Sequence, residues 1–87
     1  MADEIRILNR AERELAAIPA KDRTRIGKRI DALADNPRPA GARPLKGEFV
    51  GHFRLRVGDY RVIYQIRDEV LIVVVVRIGH RKEVYRS

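Results

Sequence analysis

The residues best suited to chemistry are three arginines that flank a two-residue turn signal, two before it and one after it. Arg54 and Arg56 precede Gly58-Asp59 and Arg61 follows it, in a segment whose apolar residues alternate with polar ones. Such alternation around Gly-Asp predicts a β-hairpin. A two-residue loop pairs Arg56 with Arg61, and residues directly opposite one another lie on the same face of a sheet. The sequence therefore predicts one hairpin face that carries all three guanidinium groups.

Opposed arginines indicate an anion-binding function. Like charges directly across a sheet destabilise it, so folding stability does not explain Arg56 opposite Arg61. A phosphate between them would relieve the repulsion, because each guanidinium binds phosphate through two parallel hydrogen bonds. In the alternative interpretation, both side chains extend into water from an exposed face. The same register places His52 beside the arginines and directs the hairpin's apolar residues toward the opposite face.

Composition supports a polyanionic partner. The chain has 87 residues, with 19 Lys and Arg against 12 Asp and Glu, a net charge of +7 and a pI near 10.6. This balance favours nucleic acid, an anionic membrane or an acidic protein, although solubility alone also accounts for some net charge. The length suits one domain, residues 1–87. Without cysteine and with two histidines, we expect no structural metal. We also expect no cofactor.

Nothing in the sequence predicts export or membrane insertion. The N-terminus lacks the apolar stretch of a signal peptide, and the longest apolar run is far shorter than the ~20 residues that span a bilayer. We therefore expect a cytoplasmic protein. A membrane-surface role is the least favoured, because the basic residues fall on a sheet face without adjoining exposed aromatic residues.

Periodicity predicts an α+β domain in which a helical hairpin packs on a small, mainly antiparallel sheet, in the order β-α-α-β-β-β. Residues 4–8 form the first strand. Asn9 is expected to cap the first helix, which ends at Pro19. A second helix starts near Asp22 and places Ile26, Ile30 and Leu33 on one face.

The second half of the chain supplies the antiparallel strands. Residues 36–47 contain three prolines and two glycines and are expected to be an irregular connection. The hairpin strands cover residues 48–57 and 60–66. The last strand, over residues 70–78, is apolar on both faces, which is typical of the middle of a sheet, and Gly79 is expected to end it.

Several motifs resemble the RelE branch of the RelE/ParE toxins. They are the run RLRVGDYRVIYQ at residues 54–65, the GHRKEVY run at residues 79–85, and PLKG at residues 44–47, together with the preceding helix pair. The resemblance covers nearly the whole chain. It implies a RelE-like fold and the toxin of a type II toxin–antitoxin system, which cleaves mRNA in the ribosomal A site without a metal and is restrained by a cognate antitoxin.

The resemblance also implies roles for individual residues. Arg61 matches the arginine that holds the scissile phosphate, Arg81 the proposed general acid, and Tyr85 the tyrosine that stacks on a base or acts as general base. The implied RNA-binding residues are Lys46, His52, Arg54 and Arg56. The family often has lysine where this chain has His52, and a histidine can accept a proton at neutral pH. Whether Tyr85 or His52 is the base therefore stays open.

Two other functions remain open on sequence. A ParE-like inhibitor of DNA gyrase would share the fold and the basic surface but would not need Arg61, Arg81 and Tyr85 together. A noncatalytic module that binds nucleic acid would need only the charge. The expected partners are the ribosome with its mRNA and an acidic antitoxin, since an acidic protein complements the +7 charge.

Overall fold

Two helices lie against a five-stranded sheet in the computed structural model, which describes residues 3–47 and 50–80. In chain order, the elements are β1 (Glu4–Ile7), α1 (Asn9–Ala16), α2 (Ala20–Ala32), β2 (Ala42–Pro44), β3 (His52–Val57), β4 (Tyr60–Arg67), a 3₁₀ turn (Asp68–Val70) and β5 (Ile72–His80). The α+β class and the helical hairpin are confirmed. The described residues form five strands, one more than predicted.

The strands are arranged in the order β1-β5-β4-β3-β2. β1 runs parallel to β5, and the other neighbours are antiparallel. β5 has a partner on each side, which agrees with its apolar sequence. It extends through Gly79, which was expected to end it, because Gly79 still pairs with Arg61.

The extra strand, β2, lies inside the segment that was predicted to be irregular. Its residues Ala42, Arg43 and Pro44 pair with Leu55, Arg54 and Phe53 of β3. A three-residue strand that includes a proline is compatible with the edge of a sheet, where one side of the strand needs no hydrogen bonds. Neighbouring prolines and glycines conceal so short a strand from sequence patterns.

The second helix, α2, buries the apolar stripe that the sequence predicted. Ile26, Ile30 and Leu33 are at most 1% exposed, and they pack on the sheet with the buried residues of β3, β4 and β5. The starts of the helices differ from prediction. Asn9 is the first residue of α1, Leu8 occupies the cap position, and no side chain caps the helix. α2 begins at Ala20, directly after Pro19, which fixes a backbone φ suited to helix entry.

The connection from α2 to β2 is tied to the sheet by side chains. The buried Tyr64 hydroxyl donates to the Pro37 carbonyl at 2.7 Å, and burial raises the pKa of Tyr64 to about 12. Arg38 donates to both carboxylate oxygens of Asp68, at 3.3 and 2.8 Å, and lies 5.8 Å from the Phe53 ring centroid. These contacts fix the chain shortly before it enters β2.

A carboxylate from α1 occupies the edge of β5 beyond the end of β1. Glu14 accepts the Ile78 N–H at 2.9 Å and the Arg77 Nε–H at 3.1 Å. This edge would otherwise present an unpaired backbone donor. No helix among the described residues is long and apolar enough to cross a membrane.

Candidate nucleic-acid interface

The register of the β3–β4 hairpin is the one predicted from the Gly58-Asp59 turn. Arg56 lies opposite Arg61, Arg54 opposite Ile63, and His52 opposite Gln65. Residues two apart along a strand are about 7 Å apart on one face. The arginines therefore occupy two adjacent rows on the sheet face that points away from the helices.

The structure adds two arginines to these rows: Arg77 of β5, which pairs with Ile63 and is ion-paired with Glu14 at 3.1 Å, and Arg43. Arg43 of β2 lies directly opposite Arg54, and therefore on the same face. Sequence reasoning missed it because residues 36–47 were predicted to be irregular, and without β2 no register exists for Arg43. The available signal was weak: an arginine between two small or cyclic residues, just before the PLKG motif. We call Arg43, Arg54, Arg56 and Arg61 the arginine face.

Burial separates these arginines into two kinds. Arg61 is 8% exposed, although it lies on the side of the sheet without helices. It belongs to a central strand, where neighbouring strands on both sides shield a side chain from water, and the next residue on its face, Ile63, is fully buried. Arg56 is exposed, and its Nε donates to the Gly58 carbonyl at 3.3 Å. The alternative interpretation, in which both side chains extend into water, is therefore wrong for Arg61.

Several buried guanidinium atoms lack an acceptor. Nε and Nη1 of Arg61 and Nε of Arg54 are inaccessible to solvent and have no hydrogen-bond partner in the described part of the chain. No ion pair among those residues includes either side chain. A buried charge without a partner is unfavourable by several kcal/mol in general. Such an arrangement is relieved by an anion that accepts from both arginines.

The other predicted RNA contacts lie at one end of this face. His52 begins β3, one row beyond Arg54, and one of its ring nitrogens is 3.5 Å from the Val50 carbonyl oxygen. The Leu45 N–H donates to the His52 carbonyl at 2.9 Å, so the exposed Lys46 follows directly beside the start of β3. The structure thus brings His52 next to the arginine face and the backbone of Lys46 beside the start of β3.

Arg81 and Tyr85 lie outside the described residues. β5 leads to the residue before Arg81, and Gly79 of β5 pairs with Arg61. His80 pairs with Tyr60, and the two rings meet edge to face with centroids 6.0 Å apart. The described chain therefore ends within one row of Arg61.

Comparison with known proteins identifies the family. Residues 5–85 match the family model described as the ParE toxin of type II toxin–antitoxin systems. Toxin RelG of Mycobacterium tuberculosis is 34% identical over 83 residues, which cover 94% of this chain and 94% of that protein. Toxin RelE of the same organism is 33% identical over 81 residues, with 83% and 82% coverage.

The chain belongs to the RelE/ParE superfamily of type II toxins. Solved structures of the superfamily share its fold. The toxin–antitoxin complex RelBE2 from Mycobacterium tuberculosis contains a chain that is 30% identical, with a TM-score of 0.83, and the match covers 93% of this toxin and 100% of that chain. An archaeal RelE–RelB complex from Pyrococcus horikoshii gives 25% identity, a TM-score of 0.82, and coverage of 95% and 99%.

The arginine face of this RelE/ParE toxin suits phosphate chemistry. Fixed cationic donors stabilise charge that develops on a phosphate in the transition state. Arginine is a poor proton carrier, since it holds its proton at any physiological pH. Proton transfer therefore has to come from other groups, and His52 is the described residue beside the face whose type suits it. Among the described residues, no three His, Cys, Asp or Glu side chains cluster as a metal site would require.

Proposed function

We propose that this toxin is a ribosome-dependent endoribonuclease, which cleaves mRNA in the A site by attack of the substrate's own 2′-hydroxyl on the adjacent phosphate. The observation that supports this proposal is a set of buried guanidinium nitrogens, Nε and Nη1 of Arg61 and Nε of Arg54, that have no acceptor among the described residues. N–H donors held in place in this way are suited to a phosphate whose charge increases during reaction.

Each residue has a separate role in this proposal. Arg61 binds the scissile phosphate and stabilises the charge that develops on it. Arg56, opposite Arg61 in the same row, and Arg54, in the adjacent row, bind neighbouring phosphates. Lys46 and His52 continue the contacts at the start of β3. RNA carries its own nucleophile, so the protein needs to align it rather than supply one.

Proton transfer is assigned to Arg81 as general acid and Tyr85 as general base, in agreement with the family resemblance. An arginine acid and a tyrosine base are both far from their optimum at neutral pH. A weak pair of this kind works only on a well-positioned substrate. This is the physical reason for proposing that the ribosome holds the mRNA, and for a reaction that needs no metal or cofactor.

Two variants distinguish the candidate bases. Tyr85→Phe keeps the ring and removes the hydroxyl, so stacking alone, at ~1–3 kcal/mol per base, would be largely retained. Loss of a general base should instead reduce the single-turnover rate by roughly 10²–10⁴. His52→Gln is the comparison. If Tyr85→Phe cleaves at nearly the wild-type rate while His52→Gln is inactive, the base is His52.

The function itself is tested on ribosomes programmed with a defined mRNA. We expect cleavage in the A-site codon with ribosomes present, no cleavage of the same mRNA alone, and no effect of a chelator added after assembly of the complex. Mapping the 5′ ends of mRNA after brief induction gives the same test in cells. Intact mRNA in both experiments would contradict the proposal.

A gyrase inhibitor is the second candidate, because the matching family model carries the ParE name whereas the relatives carry the RelE name. The two functions separate in a supercoiling assay. Inhibition of purified gyrase, together with intact mRNA, would favour the ParE-like function. A module that only binds nucleic acid would give neither result.

We also infer a cognate acidic antitoxin and a cytoplasmic location. The RelBE2 and archaeal RelE–RelB structures contain a toxin bound to its antitoxin, and a net charge of +7 complements an acidic partner. The antitoxin is expected to cover the arginine face or displace the segment that carries Tyr85. A short acidic protein encoded beside this toxin, whose association slows with added salt, is the expected finding.

A further inference from the structure

The outward side of α2 carries a second basic surface. A shallow groove of about 420 Å³ is lined by Lys21, Thr24, Arg25, Lys28 and Arg29. These residues recur at helical spacing, and all of them are exposed, whereas Ile26 and Ile30 of the same helix are buried against the sheet. We call this set of five residues the α2 ridge. The family resemblance and the proposed cleavage site assign it no role.

The α2 ridge meets the arginine face at the turn of the β3–β4 hairpin. The guanidinium of Arg25 lies so close to Gly58 that a Cβ atom there would overlap Nη2. On the same turn, the Nε of Arg56 donates to the Gly58 carbonyl at 3.3 Å. A guanidinium of the ridge, which is ion-paired with Asp22 of the same helix at 2.9 Å, and one of the arginine face therefore meet at a single glycine, so the two surfaces adjoin there.

A second junction lies at the start of β2. The Nη2 atom of Arg29 is 3.9 Å from the position a Cβ atom would take at Gly41. Gly41 is two residues before Arg43, which belongs to the arginine face. The ridge thus runs beside the edge of the sheet that carries the proposed cleavage site.

We propose that the α2 ridge binds the phosphate backbone of an RNA duplex, as a docking surface distinct from the site of cleavage. This inference rests on the proposed function insofar as the partner is RNA. Lysine, arginine and threonine side chains are typical contacts to phosphate. Lys21 and Lys28 are seven positions apart on a helix, about 10 Å at 1.5 Å per residue, so the ridge is long enough to contact more than one phosphate.

The composition of the ridge favours a duplex over the other polyanions. Among residues 3–47 and 50–80, its lining includes no aromatic side chain, and single-stranded RNA is usually held by stacking of bases on such rings. The same described lining includes no large apolar side chain, and the centre of a protein–protein interface usually depends on apolar or aromatic anchors. A duplex backbone needs only charge and hydrogen-bond donors.

The test compares two double variants of the full-length toxin that each remove two positive charges. Lys21→Gln with Lys28→Gln alters the ridge. Arg10→Gln with Arg13→Gln alters the exposed surface of α1 and serves as the matched control. Binding is measured by fluorescence anisotropy across a salt series. The probes are an RNA duplex of about 16 base pairs, long enough for two grooves, and a 2′-O-methyl single strand, which resists 2′-hydroxyl cleavage.

The ridge variant should bind the duplex about tenfold more weakly near 0.1 M salt, and the slope of log affinity against log salt should fall by roughly 2. The single strand should bind with less than about a twofold change. The α1 control should bind both probes nearly as wild type does. All variants should melt with wild-type profiles, because the altered side chains are exposed.

Two results would overturn the proposal. One is an equal loss of duplex affinity in both variants, which would show an effect of net charge alone. The other is unchanged duplex affinity of the ridge variant. If polyglutamate, measured as a third probe, then binds that variant more weakly than wild type, the ridge is a surface for an acidic protein. No step of this experiment involves cleavage. Failure of duplex binding and failure of ribosome-dependent cleavage are therefore separate outcomes.

Discussion

The two sides of the sheet differ in whether their buried polar groups have hydrogen-bond partners among the described residues. On the side covered by helices, the Tyr64 hydroxyl donates to a carbonyl, and at the edge of β5 Glu14 of α1 accepts from both Arg77 and the Ile78 backbone. On the other side, Arg61 and Arg54 bury guanidinium atoms that have no acceptor in the described chain. Buried polar groups in proteins are normally hydrogen-bonded, and the helix-covered side of this sheet follows that rule, so the unpaired guanidinium atoms on the other side are an exception to it.

The contrast indicates what each face is for. Paired polar groups hold elements together, as Glu14 does for α1 and β5. Buried guanidinium nitrogens without an acceptor among the described residues do not stabilise the fold, so we expect them to bind a ligand. Substitutions on the two faces should therefore have opposite consequences for stability and for activity.

The largest effect is expected at Arg61. Arg61→Gln should reduce the single-turnover cleavage rate on programmed ribosomes by about 10²–10³, the usual loss for one donor to a developing charge. Its free energy of unfolding should not fall, because the substitution removes a buried charge without a partner. Thermal melts and single-turnover kinetics on the same preparation measure both quantities.

Leu55→Ala provides the opposite case on the helix-covered side. Leu55 is fully buried, so the substitution should lower the free energy of unfolding by about 2–5 kcal/mol while the folded fraction cleaves normally. If instead Arg61→Gln unfolded readily and cleaved as wild type, Arg61 would be a structural residue and the contrast between the faces would disappear.

Substitution of Glu14 tests whether its hydrogen bonds at the edge of β5 stabilise the fold. Glu14→Ala removes the acceptor of the Ile78 N–H and the Arg77 Nε–H. We expect a loss of about 1.5–3 kcal/mol in urea unfolding, the range for hydrogen bonds to charged groups. Glu12→Ala, an exposed position of the same helix with the same change in helix propensity, should change stability by less than about 0.5 kcal/mol. Equal losses would contradict this role for Glu14.

Ionisation of Tyr64, on the helix-covered side of the sheet, should make the free energy of unfolding depend on pH. Its pKa is raised to about 12 by burial, against an ordinary value of 10.0. Between these values the unfolded chain has lost the phenol proton and the folded chain retains it, so this contribution to stability is present below about pH 10 and disappears by about pH 12.

Comparison with Tyr64→Phe isolates the effect from other titrating groups. The variant lacks the hydrogen bond to Pro37 and should be about 1 kcal/mol less stable at neutral pH. The difference in unfolding free energy between wild type and variant, measured in urea at pH 9 and pH 11, should shrink at the higher pH. A constant difference would show that Tyr64 ionises equally easily in both states.

The smallest effect is expected at Arg43, which is exposed at the edge of the arginine face. Arg43→Gln should raise the ribosome concentration for half-maximal cleavage about two- to fivefold, the size of an exposed ion pair, without changing the maximal rate. Arg13→Gln on α1 removes the same charge away from the face and should have no effect. If the two variants behave alike, Arg43 does not belong to the interface.

Much of the arginine face was predictable because it depends on local sequence. A two-residue turn fixes every pair of the β3–β4 hairpin, and the predicted pairs from His52–Gln65 to Val57–Tyr60 are the observed ones. The burial of Arg61 was not predictable from the hairpin alone. It depends on β5, whose Gly79 lies beside Arg61 and comes from a distant part of the sequence.

By itself, the sequence determined the helical stripe of Ile26, Ile30 and Leu33, the hairpin register, and the central place of an all-apolar strand. Each of these follows from a period or a turn within a few residues. Only the tertiary structure decided that Arg43 joins Arg54, that Glu14 closes the edge of β5, and that Arg25 meets Gly58. Those contacts join residues far apart in the chain, and no local pattern specifies which distant partners the packing of helices on a sheet brings together.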